Sequence, residues 1–497
     1  MPISQTDQLF KLIKSLTKAE KRNFTVYANR IQDSENLKYM QLFDLMDKQT
    51  KLDETQITAK LKDSDKTQYS NLKRHLYKQI MISLRLIYID KKTDIKIREY
   101  LDFADILYSK GLYLQSLKLI NTAKTVAEKS NNNILKLSLL ESEKIIESKH
   151  ITRSGTSNTN KITKDSVVAA SDVMNSTLLT NLGLLIHAFY INKGHVKNEA
   201  QKKEISEFFE QQMPKIDINM LHFHEKVYLY QSLVWYYYIL LDFSNCMNYA
   251  LKWVESFYLH PSMLEDEADL FMRGYHYILT CAFYLDEKEK YLSHLEKLEK
   301  FRKESYGKMS PITQIVSFIY VHSGRLNKYI LLKRYEEGLT VIPKTIKRIT
   351  RYKDKLDGHR IMVFYFKFAW MYLMAKQPSK AVDYLNEIQK MEVGALREDI
   401  QIYTRIMLLM AHYDLGNLSI MDYLLSNVKQ IAIKFSETNP MQTLALQFFS
   451  RITRIPVGDR KKETRDFLSK MEVIKANPFE RRGFMYLDIT EWLKTKT

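Results

Sequence analysis

At 497 residues the chain exceeds what one ordinary hydrophobic core can organise, so several domains or a repeat array are expected. Its 13 Gly and 9 Pro are too few for a turn-rich β architecture, and its two cysteines exclude a disulfide framework or an all-cysteine zinc site. The formal net charge of +18 raises nucleic-acid binding, but residues 1–90, 330–360 and 451–497 each contribute +5, so the excess is dispersed rather than gathered into one stripe.

The start, "MPISQTDQLF", is polar and lacks an apolar signal core, so a cytoplasmic protein is expected. In "QLFKLIKSL", Leu9, Ile13 and Leu16 share one helix face, with Ser4 and Asp7 at capping spacing before them. The stretch "SLTKAEKRNF" (15–24) reads as a turn between two helices. Thr17 and Glu20 have capping-box spacing, and Lys21 and Arg22 fall one turn inside the second helix, expected in solvent.

Residues 69–87, "YSNLKRHLYKQIMISLRLI", carry an apolar stripe of Leu72, Leu76, Ile80, Ser83 and Ile87. The other face holds Lys73, Arg74, Lys78 and Arg85 with Tyr69, His75 and Tyr77 interleaved. This is either a nucleic-acid contact or the wet side of an amphipathic helix. Residues 148–163, rich in Ser, Thr and Asn, predict a mobile loop between long helices.

Val227–Leu241 is a nearly apolar run of 15 residues, short of the roughly 20 that a membrane span needs, and predicts a buried helix. Ser262 and Glu265 after Pro261, Ser310 before Pro311, Asn439 before Pro440, and Asn477 with Pro478 and Glu480 all mark helix starts. Pro343 interrupts a helical pattern and predicts a kink.

Patterns that carry chemistry are missing. There is no G-x-x-x-x-G-K-[ST] phosphate loop, no G-x-G-x-x-G and no G-x-S-x-G elbow. His222, His224 and Glu225 fail the H-E-x-x-H spacing because Tyr228 stands where the second His belongs. Cys246 and Cys281, 35 apart on apolar patterns, read as buried small hydrophobes. No catalytic residue, cofactor or metal is expected.

The helical patterns repeat in pairs. "ADILYSKGLYLQSLKLINTAKTVA" (104–127), "AWMYLMAKQPSKAVDYLNEIQKME" (369–392) and "LMAHYDLGNLSIMDYLLSNVKQIA" (409–432) each run from a small or apolar residue through a short break to a second apolar series. This pattern resembles the tetratricopeptide repeat, in which small residues let two antiparallel helices pack closely. Ala104, Gly111, Tyr113, Ser116, Ile120 and Ala123 take the signature places in the first unit. Ala369, Ala381, Leu385 and Ile388 do so in the second, and Gly416, Met421, Leu425 and Val428 in the third. Weaker units place equivalent positions at 246, 291, 338, 381 and 421, with spacings of 45, 47, 43 and 40 against the usual repeat of about 34. Residues 1–90 lie outside the pattern and resemble the N-terminal part of bacterial tetratricopeptide proteins.

The resemblance implies an all-α fold: a helical N-terminal domain (1–90), first hairpins (91–220), a solenoid of repeats (221–435) and capping helices (436–497). It implies a non-enzymatic scaffold or adaptor that binds a protein or peptide, with no membrane partner. The alternative is a regulator whose N-terminal domain contacts nucleic acid. Family positions that point to the concave face carry over to Tyr228, Trp235, Tyr238, His276, Phe283, Tyr284, Tyr320, Asn327, Phe366, Trp370, Tyr403 and Tyr413. Residues of this size either line a binding channel or fill the core between helices.

Overall fold

The computed structural model describes residues 5–30, 34–61, 66–150, 156–391, 398–434 and 439–496, and among them there is helix but no strand. The chain divides into two compact units, Met1–Val173 and Met174–Thr497. The division falls inside one helix, not at residue 90 or 220.

The first unit begins with α1 (Gln5–Ser15), α2 (Lys18–Arg30), α3 (Ser34–Lys48), α4 (Glu54–Lys60) and α5 (Lys66–Tyr88). Leu9 and Ile13, Phe24, Leu42 and Met46, Ile57, and Leu76 and Ile80 bring one apolar face from each helix into a shared core. Both capping-box bonds form at the first turn: the Thr17 amide donates to Glu20 Oε2 at 2.7 Å, and the Glu20 amide donates to Thr17 Oγ1 at 3.2 Å. The Tyr88 hydroxyl donates to Glu20 Oε1 at 2.9 Å, which ties the end of α5 to that turn. Lys21 is not free in solvent; it is half-buried and ion-paired with Asp47 of α3, a partner invisible to local spacing.

α6 (Thr93–Ser109), α7 (Tyr113–Lys129) and α8 (Asn133–Lys149) pack side by side around Ile97, Ile120, Ala123 and Leu139. α9 (Thr156–Lys193) follows. The loop expected over 148–163 is therefore shorter: Ser148 and Lys149 close α8, residues from Thr156 belong to α9, and 151–155 lie outside the described residues.

The second unit contains α10 (Glu199–Gln212), α11 (Phe223–Ile239), α12 (Phe243–Leu259), the short α13 (Met263–Asp266), α14 (Ala268–Tyr284) and α15 (Lys288–Ser305). α16 (Pro311–Leu331), α17 (Tyr335–Gly338), α18 (Ile342–Tyr352), α19 (Gly358–Met374) and α20 (Pro378–Gln389) continue it. α21 (Glu398–Asp414), α22 (Met421–Lys434), α23 (Pro440–Ile452), α24 (Arg460–Ala476), α25 (Arg481–Tyr486) and α26 (Ile489–Lys494) complete it. Five neighbouring pairs pack closely: α11 on α12, α14 on α15, α19 on α20, α21 on α22 and α23 on α24. The first helices of successive pairs also touch: α14 on α16, α16 on α19, α19 on α21, and α21 on α23.

One turn geometry recurs through both units. Gly111, Asn131, Leu241, Asp286, Lys333, Lys376 and Gly416 all have φ between 50° and 76°. In each case the next residue's amide donates back to the carbonyl five positions earlier, as from Asp242 to Tyr237 (3.0 Å) and from Gln377 to Tyr372 (2.8 Å). This is the six-to-one closure of a helix by a left-handed residue. Five positions after six of these residues stand Ser116, Cys246, Tyr291, Gly338, Ala381 and Met421, all buried. These positions, picked out by the sequence pattern, thus keep a fixed distance from the turns. Gly338 shows why one member must be small: a Cβ there would meet Tyr329 Cβ at 2.8 Å and crowd the end of Met371.

Proline behaves as expected at two places. Ser310 and Asn439 cap α16 and α23 through the amides of Thr313 and Gln442, and Asn439 completes a capping box. Pro343, expected inside a helix, instead sits in the first turn of α18, after a 3₁₀ turn (Leu339–Val341). Two expected capping boxes do not form. Ser262 takes helical backbone angles and caps nothing, and Pro478–Glu480 is a 3₁₀ turn in which Asn477 accepts from the Phe479 amide. Ser4, expected to cap the first helix, lies outside the described residues. Among the described residues, no helix is long and apolar enough to cross a membrane.

The two cysteines, distant in sequence, meet between α12 and α14. The Cys246 thiol lies 3.4 Å from the Val234 carbonyl, and its hydrogen bond with Cys281, together with burial, pushes it well above the ordinary thiol range. Thiolate is the reactive form. Cys246 and Cys281 are both fully buried, so both are expected to resist a thiol-reactive chromogenic disulfide in the native protein and to react fully once it is unfolded. Rapid native reaction would show that this part of the unit opens readily.

Candidate functional site

The twelve predicted aromatic and polar positions separate into three groups. Tyr320, Phe366, Trp370 and Tyr403 are buried. Each lies on a first helix that is covered on two sides by its neighbours. Tyr403 also accepts a hydrogen bond from Asn439 Nδ2 at 2.8 Å and stacks on Tyr486 at 5.2 Å.

A second group is half-buried but dispersed. Tyr228 stacks near His224, Phe283 and Tyr284 pack on each other with Tyr284 against Phe243, and Tyr413 leans on Trp492. Asn327 is half-buried on α16.

The third group is brought together. Trp235 makes edge contacts with Tyr238 (5.7 Å) and Tyr277 (5.9 Å). Tyr277 lies 5.5 Å from His276, which stacks on Tyr320 at 4.7 Å. His187 of α9 closes on Trp235 at 4.3 Å. The result is a continuous row of rings across α9, α11, α14 and α16.

Cations gather at this row. Arg273 and His276 share a face of α14, three residues apart, and Arg360 and Lys367 share a face of α19, seven apart. Lys367 Nζ donates to Ser323 Oγ of α16 at 2.6 Å, which spans the helix between them. Burial, and then the charges of Lys367, Arg360 and Arg273, drive the His276 imidazole down to about 3. Burial and Arg273 also lower His187. Arg360 has a carboxylate partner, Asp357 at 2.9 Å, but Arg273 is half-buried with no carboxylate partner among the described residues. Arg405 on α21 is similar: burial lowers it, and its Nη1 finds only the carbonyl and side chain of Gln401.

No protein-family model, curated protein or solved structure matches this chain. The chemistry of the site therefore rests on its own residues.

Sequence reasoning found the aromatic members and missed the cations. A signal was present. Arg273 is the only charge between Asp269 and Asp286, Lys367 the only one between Arg360 and Lys376, and Arg405 the only one between Asp399 and Asp414. A lone cation recurring in an apolar first helix is costly to bury unless something uses it.

The basic N-terminal candidates do not assemble comparably. Lys73 lies over the Tyr69 ring at 4.4 Å and within 3.8 Å of Glu54, and Arg85 pairs with Asp102 at 2.8 Å. Arg74 and Lys78 are exposed on α5.

Proposed function

We propose that the protein is a non-enzymatic scaffold of tetratricopeptide-like hairpins whose first helices present a cationic face, edged with aromatic rings, to an acidic segment of a partner protein. The observation that carries this reading is Arg273. A half-buried guanidinium beside two further cations, with no carboxylate partner among the described residues, loses hydration without an ion pair there. A partner carboxylate supplies the missing charge, and the neighbouring rings offer apolar area to the residues beside it. The recurring hairpin turns support the repeat architecture, and two free, buried cysteines suit a reducing compartment.

Charge reversal tests it. In Arg273→Glu and Lys367→Glu, a carboxylate replaces one of several mutually repelling cations, so stability should hold or rise. Partner recovery from native lysate should fall at least tenfold, as roughly 1.5–3 kcal/mol per lost charged hydrogen bond implies. Recovery that both variants leave unchanged removes the cationic face from the reading. Recovery abolished by nuclease points instead to nucleic acid.

A further inference from the structure

A second set of cations converges where the C-terminal end of α15, the body of α16 and the C-terminal end of α18 meet. Arg302 Nε donates to Ser317 Oγ at 3.1 Å, and its guanidinium lies 5.2 Å from the Tyr306 ring centre. The Tyr306 and Tyr352 hydroxyls are 3.4 Å apart, and the Arg351 guanidinium lies 5.8 Å from the Tyr352 ring centre. Arg348, one turn before Tyr352, acts on both phenols. Beneath them the His322 ring shares a 2.9 Å hydrogen bond between Nδ1 and Thr345 Oγ1.

The charge balance is lopsided. Arg325 is satisfied by Glu299 at 2.5 Å. Arg302, Arg348 and Arg351 have no carboxylate partner among the described residues. Burial alone would raise the Tyr306 phenol, yet its hydrogen bond with Tyr352 and the charges of Arg348, Arg302 and Arg351 together hold it below the ordinary tyrosine range. Helix α18 is built to place these cations: Ile342, Thr345, Ile349 and Tyr352 face inward, which fixes Arg348 and Arg351 on the rim.

We propose that Arg302, Arg348 and Arg351, with the hydroxyls of Tyr306 and Tyr352, form a binding site for a phosphoryl group. Donor count and charge select this ligand. A carboxylate brings one negative charge and two oxygens, whereas a phosphomonoester brings nearly two charges and three acceptor oxygens. Three guanidinium forks and two phenols match the second set. Arg302 keeps free N–H groups after its Nε is engaged by Ser317, and Ser317 and the Tyr306 ring hold its plane in place. The anion would neutralise a cluster that otherwise repels itself in a partly dehydrated site.

Calorimetric titration of the full chain with inorganic phosphate, at constant ionic strength set with chloride, tests the site. Phosphate should bind and raise the melting temperature, and chloride should do neither. Arg351→Gln changes an exposed side chain and should weaken binding at an unchanged melting temperature. Arg302→Gln/Arg348→Gln should reduce affinity by roughly tenfold or more, as expected for two lost charge-assisted pairs. A parallel titration with O-phospho-L-tyrosine distinguishes the source: binding at least as tight as that of phosphate assigns a phosphate ester, and binding of phosphate alone assigns the free anion. No heat and no thermal shift with either probe in the wild type overturns the site. Wild-type affinity in both Arg351→Gln and the double variant does the same.

Discussion

Trp370→Ala is expected to destabilise the second unit by about 3–5 kcal/mol, the cost of truncating a fully packed tryptophan. Trp370 is 7% exposed and belongs to a core shared by α19, α21 and the C-terminal helices, beside Phe366, Leu373 and Tyr403. The second unit is closed there by bonds from distant sequence: Trp492 Nε1 donates to Asp414 Oδ2 at 3.0 Å, and the Tyr335 hydroxyl donates to Glu491. A void at Trp370 opens between helices that such contacts hold apart, so collapse is restricted and the cavity term stays large. Trp235 is half-buried in the ring row, and Trp235→Ala should cost less than half as much. All four tryptophans, Trp235, Trp253, Trp370 and Trp492, lie in the second unit, so their fluorescence reports its unfolding selectively. The measurement is denaturant unfolding followed by that fluorescence, with thermal melts alongside. A melting temperature for Trp370→Ala within about 1 °C of wild type, far below the roughly 4–7 °C that 3–5 kcal/mol produces in a unit of this size, returns Trp370 to the binding face.

Helices were legible in the sequence because their signals are local. A face at period 3.6, a Thr17–Glu20 pair or an Asn-Pro start is decided within one or two turns. The spacing of one set of buried positions was legible too: Ser116, Cys246, Tyr291, Gly338, Ala381 and Met421 each stand five residues after a left-handed turn residue. The turns were harder to read. Gly111 and Gly416 announce a left-handed residue, but Leu241, Asp286, Lys333 and Lys376 take the same angle without glycine. Those side chains are ordinarily strained there, and the helix pair imposes the conformation. The candidate site was legible only as separate aromatics. Its cations stand on helices dozens of residues apart, and no spacing rule joins Arg273 to Lys367. The contact of Cys246 with Cys281 escaped for the same reason.

Acidification is expected to destabilise the second unit steeply below about pH 6.5, the ordinary histidine value. His276 and His322 are each driven down to about 3, first by burial and then by nearby cations: Lys367, Arg360 and Arg273 for His276, and Arg325, Arg302 and Arg348 for His322. Above pH ~6.5 both rings are neutral whether the chain is folded or unfolded, and they add no pH dependence. Between ~6.5 and about 3 the unfolded chain binds protons that the native state refuses, so stability falls as pH falls. The slope is about 1.4 kcal/mol per pH unit for each ring, so a drop to about pH 5 removes roughly 2 kcal/mol per histidine and about 4 together. That is a large share of the 5–15 kcal/mol typical of a folded domain. Denaturant unfolding at about pH 8.5, 7.5 and 5 gives the curve, flat between the first two values and falling to the third. His276→Gln and His322→Gln separate these rings from carboxylates that also titrate. His322→Gln should be the less stable at neutral pH, because it disturbs the bond to Thr345, yet each variant should lose about 2 kcal/mol less than wild type on acidification. Equal losses in wild type and both variants would place the proton uptake elsewhere and show that neither ring is held neutral by its cations.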